Sequence, residues 1–521
     1  MERAPPALRP IAAALLLLGA AVALLAFQSS CFFETWTDEN VHLYVAGRLA
    51  QGAVLYRDIQ SARPPLALAP LAALVRLGLA PLLAARAAVV LALLSTALVL
   101  LLAGRRLFGA WAGVAAAALF LLAPEVAARH SFTAIHQVAL LSTLCVVLAL
   151  LERPLLSGLA AGLALGCGQH AAVLLAGTAL LIGLRRPREL PRFAAGALLA
   201  LGAVFGAAVA RAGWHPVWQD LVGRHLYHLG GAGAAAPASE GDLGWYLASA
   251  GLENLALLLL AAAALLPSPS GAPEAPPRGI PLPLGLPLPG PDRLALAMLA
   301  SAHLAVVALM RGGLILYVFP ALPLLALLAG DGLVRAACWC AGAPLRRSLP
   351  LAAALLGLTL GALLVTQRRY QQRDQLDYPL LPHARQLAMA RLQRLTVAES
   401  ITAAIGPELL PQQTLFGFPT ITAAVAVKAG RRISGELADL APRWLQQGTV
   451  DRREVVALAE RDRVAFFLTP RGFYEHDPFF RAYLAQCYEA PRLFARALGD
   501  GRGVPPIDVF RHRPGITCAA R

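Results

Sequence analysis

Residues 31–70 read CFFETWTDENVHLYVAGRLAQGAVLYRDIQSARPPLALAP, and they follow an apolar run at 10–28, PIAAALLLLGAAVALLAFQ. That run has the length of a helix crossing a hydrocarbon core of about 30 Å. The stretch after it turns abruptly polar. Asp38-Glu39, Tyr56-Arg57-Asp58 and Arg63-Pro64-Pro65 set carboxylates and guanidinium groups at a membrane surface. There a carboxylate takes a proton from a hydroxyl, and guanidinium groups hold a lipid-borne phosphate. Arg3 and Arg9 precede the run, which is long for a signal peptide and has no small-residue cleavage site after it. It reads as a first anchor with the N-terminus in the cytoplasm.

The 521 residues have a mean hydropathy of +0.62, 58% hydrophobic content and 14% charged residues. That charged share is about half of what globular domains carry. An ordinary soluble enzyme is excluded, and a polytopic α-helical membrane protein is indicated. The formal charge of +15 raises nucleic acid as a partner, but Lys428 is the single lysine. No basic patch is interleaved with aromatics, so nucleic acid is set aside. Of the seven cysteines, Cys145 and Cys167 read as small packing residues, and Cys338-Trp339-Cys340 lacks a second ligand pair for a metal. Cys487 and Cys518 share the C-terminal part, where a disulfide is chemically permitted outside the cytoplasm.

Hydropathy places about eleven spans, near 10–28, 85–103, 110–124, 135–151, 155–168, 170–184, 193–210, 250–267, 294–310, 314–330 and 349–366. Arg105-Arg106, Arg153, Arg185-Arg186-Arg188, Arg335 and Arg346-Arg347 then share a side with Arg3 and Arg9. The odd number of crossings leaves the C-terminus outside. Residues 1–366 thus form a transmembrane module whose first external loop is 29–84. Ten prolines between Pro267 and Pro291 make 267–292 a semi-extended cytoplasmic linker. From 367 to 521 charge becomes frequent. Short β-rich runs at 414–418, 431–434, 464–469, 487–494 and 507–511 alternate there with helical ones, the pattern of an extracytoplasmic α/β domain.

Within the first loop, 38–49 has the spacing of a helix lying at the surface, with Val41, Tyr44, Val45 and Arg48 near one face. Pro64, Pro65 and Pro70 are expected to break the stretch that follows. For Asp38-Glu39 the plain alternative is an N-cap with an acidic first turn. Against it stands their company: Tyr56 offers aromatic surface, and Arg57 and Arg63 offer fixed cations. Arg129 and His130 at the outer end of the third span are candidate substrate contacts, the alternative being interfacial snorkelling. Arg311 near Tyr317 is a candidate phosphate contact. Asp38, Glu39 and Asp58 offer oxygen ligands to a divalent metal. No HExxH, Walker loop or dinucleotide fingerprint occurs.

The order Asp38-Glu39, Tyr56-Arg57-Asp58, Arg63-Pro64-Pro65-Leu66 resembles the DE…YRD…KPPL pattern of glycosyltransferase family 39 and its bacterial relatives, the protein O-mannosyltransferases and aminoarabinose transferases of the GT-C superfamily. The likeness extends to Gly168-Gln169-His170, to Arg311…Tyr317…Pro320…Pro323 and to 416–436, FGFPTITAAVAVKAGRRISGE. The resemblance implies a GT-C membrane fold, Asp38 as catalytic base with Glu39 in support, and Arg63 in place of the family's phosphate-binding lysine. Arg57, Arg311 and Tyr317 would join it at the donor phosphate, and Tyr56, Asp58, Arg129, His130 and His170 would line the substrate. His170 stands where relatives have lysine, which weakens its claim on an anion. The resemblance also leans towards metal independence.

The expected function is an inverting glycosyltransferase of the bacterial inner membrane. It moves a hexose or pentose from a polyprenyl-phosphate donor to an acceptor hydroxyl on protein, lipid A, cell-wall glycan or another lipid. A transporter or flippase of lipid-linked saccharides is the rival, although such a protein concentrates ionisable groups near mid-membrane. A non-catalytic scaffold of the same fold is the third reading.

Overall fold

The computed structural model describes residues 38–123, 126, 131–223, 254–266, 290–309, 315–341, 354, 357, 397–440, 450–474, 477–494, 506–516 and 518. The expected span at 10–28, residues 250–253, most of 349–366, the linker at 267–289, and Arg129, His130 and Arg311 lie outside the described residues. So does the side chain of Tyr317.

The helical part runs α1 (Glu39–Ala50), α2 (Pro65–Arg76), α3 (Pro81–Leu107), α4 (Ala110–Leu121), α5 (Ile135–Leu150), α6 (Pro154–Cys167), α7 (Ala172–Arg185), α8 (Leu190–Ala212), α9 (Leu255–Ala263), α10 (Pro291–Leu309) and α11 (Leu322–Ala341). Among the described residues, three helical stretches, Pro81–Leu107, Pro187–Ala212 and Val318–Cys340, are long and apolar enough to cross a membrane. On α8 the large side chains Leu198 and Leu199 are 68% and 65% exposed. An apolar helix turned outward in this way suits lipid rather than water. Small residues let the bundle close. Carbon atoms added at Gly158 or Gly162 of α6 would collide with the α8 backbone at Phe193 and Ala197, and one at Gly196 would strike Leu155. This is the small-residue packing that replaces hydrophobic drive between helices in lipid.

One expectation fails in this part. Pro64, Pro65 and Pro70 do not break the chain, because α2 runs through Pro70. Pro65 stands at the first helical turn, where its missing N–H is not needed, and Pro70 removes a single internal bond.

The C-terminal part holds α12 (Val397–Ile405), α13 (Pro419–Ala429), α14 (Arg452–Arg461) and α15 (Pro478–Cys487) around a five-stranded sheet of order β2-β1-β3-β5-β4. The strands are β1 (Thr414–Gly417), β2 (Arg432–Ile433), β3 (Val464–Pro470), β4 (Arg492–Phe494) and β5 (Ile507–Arg511). β2, β1 and β3 pair in parallel because α13 and α14 provide the crossovers. β5 and β4 add antiparallel strands. β3, VAFFLTP, is buried at every position, as a central strand covered on both faces must be. Asp451 and Asp477 cap α14 and α15 by accepting the N–H groups of Arg453 and Phe479. The stretch at 487–494 divides: Cys487 ends α15 and joins Cys518 in a disulfide, and only Arg492–Phe494 is strand.

Candidate active site

Asp38 begins α1 with helical backbone angles, φ −58° and ψ −20°, but its carboxylate makes no capping bond. It faces Arg63 instead, Oδ2 to Nη2 at 3.0 Å, with the two side chains 52% and 34% exposed. The next residue does the opposite. Glu39 is 1% exposed, meets the guanidinium of Arg86 on α3 through both carboxylate oxygens, and accepts the Phe132 N–H at 2.6 Å. A buried carboxylate is tolerable only with this degree of pairing. Glu39 thus lies in the interior, away from the surface that Asp38 faces. Its oxygens are engaged in anchoring α1, and what it supplies is position.

The loop that delivers Arg63 is satisfied bond by bond. Tyr56 adopts φ +70°, unusual for a non-glycine residue, and sends its hydroxyl to the Arg63 carbonyl at 2.6 Å. The Gln60 N–H goes to the Glu436 carbonyl (3.3 Å), the Ser61 N–H to Asp220 (3.2 Å), the Ala62 N–H to Asp439 (2.9 Å) and the Arg63 N–H to the Ser61 hydroxyl (3.2 Å). Each backbone donor from 60 to 63 has its acceptor, so the guanidinium leaves from a fixed base. The Tyr56 hydroxyl is thus engaged within the loop itself. Burial, followed by the charge of Asp220, raises its phenol well above the ordinary range, so it stays a donor.

Arg57 and Asp58 turn towards each other. Arg57 Nε lies 2.9 Å from Asp58 Oδ1, and Asp58 also accepts the Val54 N–H at 2.8 Å. The Arg57 hydrogen bond holds the Asp58 carboxyl below its usual range. Both are exposed residues of a tight turn, and their phosphate and substrate roles have no support in these contacts. Asp38, Glu39 and Asp58 engage three different partners, Arg63, Arg86 and Arg57, and do not form a common ligand set. Among the described residues, the one group of metal-type side chains is Glu460, Cys487 and Cys518. The disulfide there uses both thiols.

The α/β part clasps this loop. Tyr44 donates to Glu436 at 2.6 Å, Arg48 pairs with Glu436 at 2.8 Å, and Asn40 donates to the Thr420 carbonyl at 3.1 Å. His170, between α6 and α7, lies in electrostatic reach of Arg63 and of His303. Its ring folds against Gly168, where a Cβ would come within 2.5 Å of it. Asp38, Arg63 and His170 are thus gathered at one end of the bundle, as three of the residues singled out from sequence. Four further residues there escaped that reading: His42, Asp220, Glu436 and Asp439. His42 carried a signal, since it stands one helical turn after Asp38. The other three are joined to the loop only by the fold.

No family model and no curated protein matches the chain. Solved structures do. ArnT from Cupriavidus metallidurans bound to undecaprenyl phosphate aligns with TM-score 0.61 and 17% identity over 95% of this chain and 97% of that one. Its apo form aligns with the same values. The fold is GT-C. The oligosaccharyltransferase of Archaeoglobus fulgidus is less similar, at TM-score 0.49 and 13% identity over 94% of this chain and 75% of that one. The likeness to ArnT spans both the helical part and the α/β part, so the two chains share an overall fold.

Chemically, the site offers a carboxylate able to accept a proton and a guanidinium able to grip two oxygens of a phosphate. They neutralise each other at 3.0 Å.

Proposed function

We propose that the chain is an inverting membrane glycosyltransferase that takes its sugar from a polyprenyl phosphate. The Asp38–Arg63 pair, standing at one end of a GT-C bundle, carries this reading. That ArnT was solved with undecaprenyl phosphate supports a lipid-phosphate donor for this chain as well. In the reaction, Arg63 leaves Asp38 for the donor phosphate. Asp38 then takes the proton of an acceptor hydroxyl while that oxygen bonds to the anomeric carbon. The bond from that carbon to the phosphate oxygen breaks on the opposite face, and the charge it leaves rests on Arg63. Asp38 is partly exposed, so its value comes from fixed position, which Glu39 and Arg86 provide. Arg311 and Tyr317 remain proposed partners of the donor phosphate, and Arg129 and His130 proposed contacts of the substrate. In this reading about eleven spans cross the inner membrane and residues 367–521 lie outside it.

The test uses the full chain in lipid nanodiscs with labelled undecaprenyl-phosphate hexoses. Asp38→Asn is expected to lower sugar release by about 10²–10⁴-fold, the usual contribution of a general base. Asp38→Asn turnover within tenfold of wild type removes Asp38 as base. Arg63→Ala is expected to weaken undecaprenyl phosphate binding by roughly tenfold or more, as the loss of a charged hydrogen bond does. Unchanged lipid binding removes the phosphate role.

A further inference from the structure

His42 is the residue of this site whose chemistry remains unspent. It lies one turn after Asp38, and because Asp38 has helical backbone angles the two side chains rise on the same face. The ring is 1% exposed. Nδ1 lies 3.0 Å from the Phe132 carbonyl, and the ring meets the Phe132 ring edge-on with centroids 5.9 Å apart. A carbonyl oxygen only accepts, so Nδ1 carries the hydrogen. In a neutral imidazole Nε2 is then a bare acceptor. Nε2 is buried and has no hydrogen-bond partner among the described residues. Burial, followed by the nearby Arg63, holds the imidazole pKa at about 3, and Asp38 opposes this only in part. The ring is therefore neutral at any physiological pH. A buried acceptor of this kind needs a donor, and the groups it senses are the two that the proposed reaction uses.

We propose that His42 Nε2 accepts a hydrogen bond from a substrate hydroxyl, either on the transferred sugar or on the acceptor. This rests on the lipid-phosphate reading above. While Asp38 and Arg63 are paired, Nε2 has no surface. Such a bond requires that Nε2 be uncovered when Arg63 turns to the phosphate and Asp38 to the acceptor. A neutral acceptor suits this place. It recognises O–H without adding a charge that would compete with Asp38 for the proton or with the phosphate for Arg63. The ligand class is a polyol, and no bond is made or broken at the ring.

The experiment compares wild type, His42→Phe, which keeps the ring and loses the acceptor, and His42→Gln, which returns an acceptor oxygen near the Nε2 position. Binding to the full chain in nanodiscs is measured for undecaprenyl phosphate and for its glucose, mannose and galactose derivatives. Transfer of labelled sugar to glycerol is measured alongside. If the hydroxyl belongs to the donor sugar, His42→Phe binds undecaprenyl phosphate like wild type and at least one sugar-bearing lipid about tenfold more weakly, and His42→Gln recovers most of that loss. If it belongs to the acceptor, all lipids bind as in wild type, but KM for glycerol rises in His42→Phe and falls back in His42→Gln. His42→Phe indistinguishable from wild type in both arms overturns the inference. Equal weakening towards bare and sugar-bearing lipids also overturns it, since His42 would then be a structural prop. Wild type that binds none of the four lipids removes the lipid-phosphate reading itself, and this inference with it.

Discussion

Glu436 is the residue through which the α/β part grips the proposed catalytic loop, and replacing it by Gln isolates that grip. It stands in a tight turn with Gly435 at φ +60° and Glu436 itself at φ +52°. Asp462 fixes the turn by accepting the Gly435 N–H at 2.6 Å and the Ser434 hydroxyl at 3.2 Å. From there the Glu436 carboxylate receives Tyr44 at 2.6 Å and Arg48 Nε at 2.9 Å, and its backbone carbonyl receives the Gln60 N–H. Glu436 and Arg48 are 16% and 15% exposed, so solvent screens the pair less than it does a surface ion pair. Burial, then Glu436, raises the Tyr44 phenol above its ordinary range, which keeps it a donor. Glutamine retains the shape and one acceptor oxygen but loses the charge. The Arg48 contact falls from a charge-assisted bond to an ordinary one, a loss of roughly 1–2 kcal/mol. Local separation of α1 from the turn should then become about 5–30-fold more frequent. Hydrogen exchange of backbone amides in peptides covering 39–50 and 431–440 reads this directly. Both peptides should exchange faster in Glu436→Gln, and sugar transfer should fall in kcat more than in donor binding, because Asp38 and Arg63 lose their mutual register. Exchange within twofold of wild type in both peptides would show that the contact is not what holds the two parts together.

Arg86→Leu should leave the Glu39 carboxylate buried without its cation, a loss of about 3–5 kcal/mol; thermal unfolding in detergent measures it, and the additional change Glu39→Leu should recover much of the loss. With its folded pKa at about 3 against an ordinary 6.5, His42 binds no proton in the folded protein while the unfolded chain does. Stability therefore falls as pH drops from about 6.5 towards 3, by up to about 1.4 kcal/mol per pH unit, and His42→Phe should flatten that slope in melting curves between pH 7 and 5. Cys518→Ser opens a loop of sequence separation 31. Chain-entropy arithmetic gives a loss of about 3–4 kcal/mol for the C-terminal part, seen as earlier proteolysis of that part than of the helical bundle.

What could be read from sequence, and what could not, follows from the range of the interactions involved. Hydropathy is a local property, and α5 through α8 fall where the apolar runs at 135–210 end and restart. The closeness of Asp38 to Arg63 was legible because a carboxylate, a helix and a cation before two prolines lie in one loop, 25 residues apart. The burial of Glu39 and Tyr56 was not. Glu39 looks like a twin of Asp38 until Arg86, 47 residues on, claims it. Tyr56 looks like a sugar platform until a positive φ turns it inward. Arg57 was read by residue type, yet its nearest anion is its own neighbour. The grip of Glu436 and Asp439 spans more than 370 residues of sequence, and nothing local announces it. Adjacent acidic residues on a helix start necessarily point in different directions, about 100° apart around the axis. A motif that contains two of them can therefore send one group to the surface and the other to the interior. Only the long-range partner decides which. Here Arg86 takes Glu39 inward, and Asp38 is left at the surface facing Arg63.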